Sequence, residues 1–391
     1  NLALSTTIVR KTGKGIINKT WTDAWAYYFG ASYQMNEANR FELYAIGAPQ
    51  RHGQNLYKQN IAAYDEEYAR KVYSDDILAV DLEGNEDADG NDIPNDIPDV
   101  FDKFMEHEDG RLYNENVSPV SSSYTGQQYW YMYGEGGLFG GGLQDRHDPN
   151  FLNERENFFH KPLVNLNHYL TLNDQMRLST VAYWSGGSGG GTGTYASMKW
   201  NYHKGISSPS RWVHYDATIE RNSTNIDASV SETEARSLGI LRNSINRQNT
   251  YGLISKLNYD LSDAIQLQFG LDWRTAGIEH TREVRDLLGG DYYLDDADHN
   301  NTAKVVKLGD NIDYHNNTTV DWLGFFGQGS YSSGPINAYG MAGFSSIAYT
   351  YQDHFTVAKS LIEADAISTM QFKGGAMYDV SDGISIFANF G

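Results

Sequence analysis

Residues 249–274 hold two arms that alternate by residue type at a period of two through a tight turn, and few folds accept that pattern at this length. On the first arm Tyr251, Leu253, Leu257, Tyr259 and Leu261 alternate with Thr250, Gly252, Lys256, Asn258 and Asp260, broken only at Ile254 and Ser255. On the second, Ile265, Leu267, Phe269, Leu271 and Trp273 alternate with Gln266, Gln268, Gly270, Asp272 and Arg274, with Ser262, Asp263 and Ala264 between the arms. Alternation of this kind makes one face of a sheet apolar and the other wet. A soluble sandwich covers the apolar face with a second sheet and uses strands of about five or six residues. A membrane barrel presents it to lipid and needs strands of about ten. The length of these arms favours the barrel: Leu267 and Leu271 are expected to touch lipid, and Gln268 and Asp272 to face the lumen.

The same unit recurs. Tight turns are expected near residues 36–39, 173–175, 262–264, 333–335 and 381–383, each between alternating arms. A tyrosine of the apolar set stands three residues before four of them, at Tyr33, Tyr259, Tyr331 and Tyr378, as in an interfacial girdle. At the second turn Tyr169 falls instead among polar-face residues, beside Asn165 and Asn167. Successive hairpins are joined by connections of about 110, 60, 45 and 20 residues, far longer than a compact soluble domain uses. Short turns at one end and long loops at the other are the pattern of outer-membrane barrels, with the short turns periplasmic. Ten arms plus an alternating segment from Leu2 to Arg10 make about eleven strands, an odd number that implies an incomplete barrel.

Composition narrows the classes. The net charge of −20 argues against a nucleic-acid backbone as partner. With no cysteine, disulfides and thiolate metal sites are excluded. The 28 tyrosines suit a water boundary. No apolar run is long enough for a transmembrane helix, and the chain starts at Asn1 without a leader, as if cut from something longer.

Three stretches, residues 41–54 (FELYAIGAPQRHGQ), 249–259 (NTYGLISKLNY) and 374–390 (GGAMYDVSDGISIFANF), together resemble the barrel of TonB-dependent outer-membrane receptors. The resemblance implies an all-β, antiparallel transmembrane β-barrel in the bacterial outer membrane, with this chain supplying about eleven of about 22 strands. It implies a non-enzymatic receptor for a scarce nutrient (iron chelate, cobalamin, oligosaccharide or peptide), with TonB as partner through a plug domain absent from this chain. It also implies contact with outer-membrane lipid and no required cofactor. Residues 48–160 are expected to form a long extracellular loop insertion. The alternative from another class is a secreted or cell-surface β-rich carbohydrate-binding protein with a calcium-ordered loop; a passive porin would have shorter loops.

Two stretches could carry ligand chemistry. Asn85, Asp87, Asp89 and Asp96, with Gly90 between, follow the oxygen-ligand spacing of a calcium loop. Against it, Asp96 is shorter than the usual Glu and Pro94 interrupts, so a solvated acidic loop is the competing reading. Tyr129, Trp130, Tyr131 and Tyr133 could stack on a ligand ring or pack as a cluster inside the loop. The glycines at 134–142 and 186–193 lack the Lys-Ser or Lys-Thr of a phosphate loop and read as a flexible or closely packed loop. The histidines are scattered without a zinc signature and read as surface or lumen residues. Acidic pairs such as Asp295 and Asp296 are expected by chance among 50 acidic residues.

Overall fold

Thirteen segments and one short strand form a single antiparallel sheet in the computed structural model, which describes residues 1–56, 112–131, 141–202 and 211–391. They are β1 (Leu2–Lys14), β2 (Trp21–Gln34), β3 (Asn39–Gly47), β4 (Gln50–Gly53), β5 (Glu156–His160), β6 (Leu163–Thr171), β7 (Met176–Ala196), β8 (Gly239–Ser262), β9 (Ile265–Asp286), β10 (Asn311–Ser333), β11 (Ile336–Asp353), β12 (Ile367–Ser381) and β13 (Ile384–Phe390). The short strand, Leu361–Glu363, pairs with β11. β3 with β4, and β5 with β6, are each one strand broken at a proline. Pro49 and Pro162 have no N–H to give the ladder. Their carbonyls still accept, from Trp25 N–H and Gly186 N–H at 2.8 and 2.9 Å. Counted this way the sheet is eleven strands wide in sequential order, as the alternation predicts.

All five expected turns are present. Asn36 Oδ1 accepts from the Ala38 and Asn39 N–H groups at 3.0 and 2.8 Å, and Asn173 Oδ1 from Gln175 and Met176 at 2.9 Å each. Such side chains build the turn by imitating a backbone acceptor. Between Ser333 and Pro335 the turn is made by Gly334 at φ +56, a conformation glycine enters without penalty.

Register turns the two-residue period into continuous rows. Leu4, Ala31, Leu43, Leu166, Ala182, Leu253, Trp273, Leu323, Ser346 and Ser368 are successive partners across ten strands. One residue away, on the opposite face, run Ala3, Ser32, Glu42, Asn167, Val181, Ile254, Asp272, Gly324, Ser345 and Thr369. Ile254, the exception in the alternation, sits in this polar row. The apolar band is open: Tyr251 is 52% exposed, Phe269 49%, Trp273 43% and Phe325 46%. Among the described residues nothing covers it, and a contiguous apolar surface of this kind is foreign to soluble monomers. The girdle tyrosines Tyr33, Tyr331 and Tyr378 are exposed on the band, whereas Tyr169 lies on the polar face beneath the Arg40 guanidinium. Among the described residues no helix is long and apolar enough to cross a membrane. The fold is a barrel wall.

Away from the turns the strands continue past the band and are clasped on both faces by the long connections. On the face of the band, Leu241 packs with Val120, Leu152, Met198, Val213, Tyr215 and Leu288, and Ile245 with Trp130 and Phe158. On the other face Ile240, Val284 and Ile312 meet Leu287 and Val306. Both ends of the 48–160 segment join the sheet, as β4 and β5, and the connection proper lies between them.

Among the described residues one α-helix forms, α1 (Tyr215–Thr224), and it starts where His214 Nδ1 accepts from Ala217 N–H at 3.3 Å. It is fixed by Asn222, fully buried, whose Nδ2 donates to the carbonyls of Gly239, Leu288 and Leu287 at 2.8, 3.0 and 3.2 Å while its Oδ1 accepts from Leu238 N–H at 3.0 Å. Asn222→Ala strips partners from four backbone groups and is expected to destabilise the outer layer by about 1 to 3 kcal/mol, seen as a lower denaturation midpoint in micelles.

Candidate functional site

The chemistry-bearing side chains gather in this outer layer. Its centre is a buried ion triad: Arg51 on β4, Glu156 on β5 and Arg285 near the end of β9, with side chains 7%, 4% and 1% exposed. Arg51 donates to Glu156 Oε2 through Nε at 2.8 Å and a terminal nitrogen at 2.5 Å. Arg285 approaches the same oxygen at 2.9 Å. Arg285 is skipped by the pairing, since Leu241 faces Asp286 and Arg242 faces Val284, and this bulge aims it at the carboxylate. Burial pushes the Glu156 carboxyl up, but Arg285 and Arg51 outweigh it and hold it below the usual carboxylate range.

The triad extends into the loops. Arg285 donates to Gln128 Oε1 at 2.9 Å, Gln128 Nε2 to Asp286 Oδ2 at 3.1 Å, and Tyr124 Oη to Asp286 Oδ1 at 2.6 Å. Burial and Asp286 push the Tyr124 phenol well above its ordinary value, so it is a permanent donor. The Arg51 guanidinium lies 3.6 Å over the Trp130 ring and 5.2 Å from Trp21, and Trp21 stacks on His147 at 3.5 Å.

A second cluster sits on β8 to β10, on the face of the band but beyond it. Arg247 pairs with Glu279 at 2.9 Å and with the buried Glu283. Asn311 Nδ2 donates to His315 Nδ1 at 3.2 Å and His315 Nε2 donates to Glu279 Oε1 at 2.9 Å, which fixes the neutral Nε2–H tautomer. His354 packs against His315 at 4.3 Å. Burial lowers the His315 pKa, and His354 adds to this against the opposing pull of Glu279. The neutral ring is therefore the form the fold favours. Its contribution is complete above the ordinary histidine value of about 6.5 and is lost as pH falls below that value and through the lowered one. Thermal unfolding between pH 8 and 5 should show an acid-side loss that shrinks in His315→Asn; an undiminished loss in that variant is the contrary result.

Of the residues singled out in the sequence, Trp130 is 5% exposed and braces the interior beneath Arg51, and Tyr129 is half-buried beside it. The backbone of Tyr131 pairs with Gly141; Tyr133 lies outside the described residues, as do Asn85, Asp87, Asp89 and Asp96. Among the described residues no group of three metal-ligating side chains forms. The 186–193 glycines are not a loop: they belong to β7. A side chain at Gly190 would collide with the Ser244 carbonyl and Ile245, and one at Gly189 with the Phe158 carbonyl, so these two glycines allow close strand packing. The histidines are not uniformly peripheral either. His160 is 1% exposed and bonds Tyr27 Oη through Nε2 at 2.9 Å. The triad and the His315 cluster carry no local signature, because their members come from strands far apart in sequence.

No family model and no curated protein matches the sequence. Solved structures do. The unliganded ferric citrate transporter FecA is 7% identical, with a TM-score of 0.49 over 99% of this chain and 38% of its own. The closed form of the ferric-catecholate import receptor Fiu from E. coli K12 is 9% identical, with 0.48 over 99% and 46%. FpvA of P. aeruginosa, solved with heterologous pyoverdines, is 10% identical, with 0.49 over 100% and 38%. The chain spans less than half the length of each.

Proposed function

We propose that this chain is part of the barrel of a TonB-dependent outer-membrane receptor for a scarce nutrient. The observation that carries the reading is the pair of rows: an apolar one running through eight strands from Leu4 to Leu323, and a predominantly polar one on the reverse face. Lipid is the solvent that suits the first, and a watery lumen suits the second. The packed outer layer supports a receptor rather than an open pore, because loops tied by a buried triad form a fixed surface on which a ligand can be recognised. Energy for uptake would come from TonB acting through a plug, and an iron chelate, cobalamin, an oligosaccharide or a peptide would each suit such a route.

A secreted carbohydrate-binding protein would need a second layer over Phe269, Trp273 and Phe325, and among the described residues none lies there. The purified chain should therefore need detergent or lipid to stay dispersed, and should show heat-modifiable migration after folding into micelles. A folded monomer in plain buffer would overturn the membrane reading.

A further inference from the structure

The outer end of β1 carries positive charge that its surroundings do not balance. Residues 1–22 hold four cations, Arg10, Lys11, Lys14 and Lys19, and no carboxylate, in a chain where 50 acidic residues outnumber 30 basic ones. Register sorts them by face. Even-numbered residues of β1 stand with Leu4 in the apolar row, so Leu2, Leu4, Ile8, Arg10 and Lys14 follow one another up the lipid side, while Lys11 falls on the lumen side. Leu2 pairs with the girdle tyrosine Tyr33. From there a strand rising about 3.4 Å per residue at a tilt of about 40° brings Arg10 to a height of about 20 Å and Lys14 to about 30 Å. An apolar band is about 25 Å tall, so the two cations straddle its outer edge, at the level of lipid headgroups.

Their neighbours suit that boundary. The Arg10 guanidinium lies 4.7 Å over the ring of Trp25, its partner across the ladder, and Trp25 is exposed on the same face. Tryptophan is enriched at this depth. Arg10 also pairs with Asp23, the first carboxylate in the chain, and both side chains are more than a third exposed. Lys14 stands opposite Trp21, and the Lys19 ammonium lies 5.8 Å from the Phe151 ring; neither takes a carboxylate among the described residues. Arg247, on the same face toward the outer end of β8, shows the contrast, since Glu279 and Glu283 both hold it. Three cations against the single carboxylate of Asp23 make a net positive ridge, continuous with the lipid-facing band.

We propose that Arg10, Lys14 and Lys19 bind the phosphate-bearing headgroup of an outer-leaflet lipid, with Trp25 beside the top of its acyl chains. Long cationic side chains lay their stems along apolar surface and carry the charge to the headgroup level, where each is attracted by anionic lipid. The site goes beyond the uptake reading, because it concerns the outside of the wall, and rests on that reading only for the membrane.

The test is fluorescence of the 391-residue chain folded into phosphatidylcholine vesicles doped with a lipid brominated along its acyl chains, either phosphatidic acid or phosphatidylcholine. The signal of Trp25 is the difference made by Trp25→Phe in each background. Phosphatidic acid should quench it more strongly than phosphatidylcholine, and the preference should shrink as salt rises. Arg10→Gln combined with Lys14→Gln should lower the preference about tenfold or more, while Arg177→Gln, beside a turn at the other end of the wall, should leave it unchanged. Asp23→Asn removes the one carboxylate and should raise the preference, a gain that misfolding cannot imitate. Inorganic phosphate at matched ionic strength should not displace the lipid; if it does, the ridge takes the free ion and the lipid site falls. Equal quenching by the two lipids, or charge variants that keep the parent's preference, would also overturn it. Insertion is scored separately by protection from added protease. Failure to insert would sink the membrane reading and the headgroup site with it, whereas insertion without lipid preference would sink the headgroup site alone.

Discussion

Glu156→Gln is expected to destabilise the outer layer by about 3 to 5 kcal/mol, among the larger single-residue effects in the chain. The carboxylate is the shared partner of Arg51 and Arg285, which are 7% and 1% exposed at the side chain. Glutamine preserves the shape but leaves two guanidiniums in a dry interior without a counter-charge, and neither can shed its proton. The exposed pair of Arg177 and Asp260, 54% and 31% exposed, supplies the contrast. Arg177→Gln should cost under about 1 kcal/mol, because water already screens that pair. Urea unfolding in micelles, followed by fluorescence of Trp130 beneath Arg51, measures both. Equal midpoints for the two variants would show that the triad does not hold the layer.

The second large effect belongs to the band. Leu271→Arg places a guanidinium between Ser255 and Phe325, in the row that continues to Phe344 and Met370. In a bilayer this should cost about 2 to 4 kcal/mol, falling toward zero near the interfaces. Gln268→Arg, on the opposite face between Asn258 and Gln328, should be nearly neutral. Folding of both variants into vesicles from urea gives the difference directly. A Gln268→Arg penalty as large as that of Leu271→Arg would mean that the two faces do not see different solvents.

The wall was legible in the sequence because its rule is local. In a strand one residue decides one side, so Leu267 and Gln268 can be assigned without knowing their neighbours. The turns are local too: the acceptors at Asn36 and Asn173 act within three residues. The outer layer follows no such rule. β4 and β5 stayed hidden because they are only four and five residues long and are cut off by prolines, β4 starting after Pro49 and β5 ending before Pro162. Residues 186–193 look like a loop because glycine has low strand propensity, yet the close approach of Ser244 requires a glycine at Gly190 and that of Phe158 one at Gly189. Trp130 looks like a surface aromatic until Phe158 and Ile245 enclose it, and both come from other segments. The ion triad is the extreme case: Arg51 is 105 residues from Glu156 in the chain, and no spacing encodes the meeting.

That separation governs the order of assembly. Contacts between distant segments form late, since chain entropy must be lost before they repay it. Until β4, β5 and the end of β9 are side by side, Arg51 and Arg285 remain hydrated, and burying either without Glu156 is unfavourable. A sheet that zips up in the wrong order, or with one strand displaced, therefore cannot close its outer layer cheaply. The triad acts as a proofreading step, admitting the loops to their packed positions only after the strands beneath them are correctly arranged.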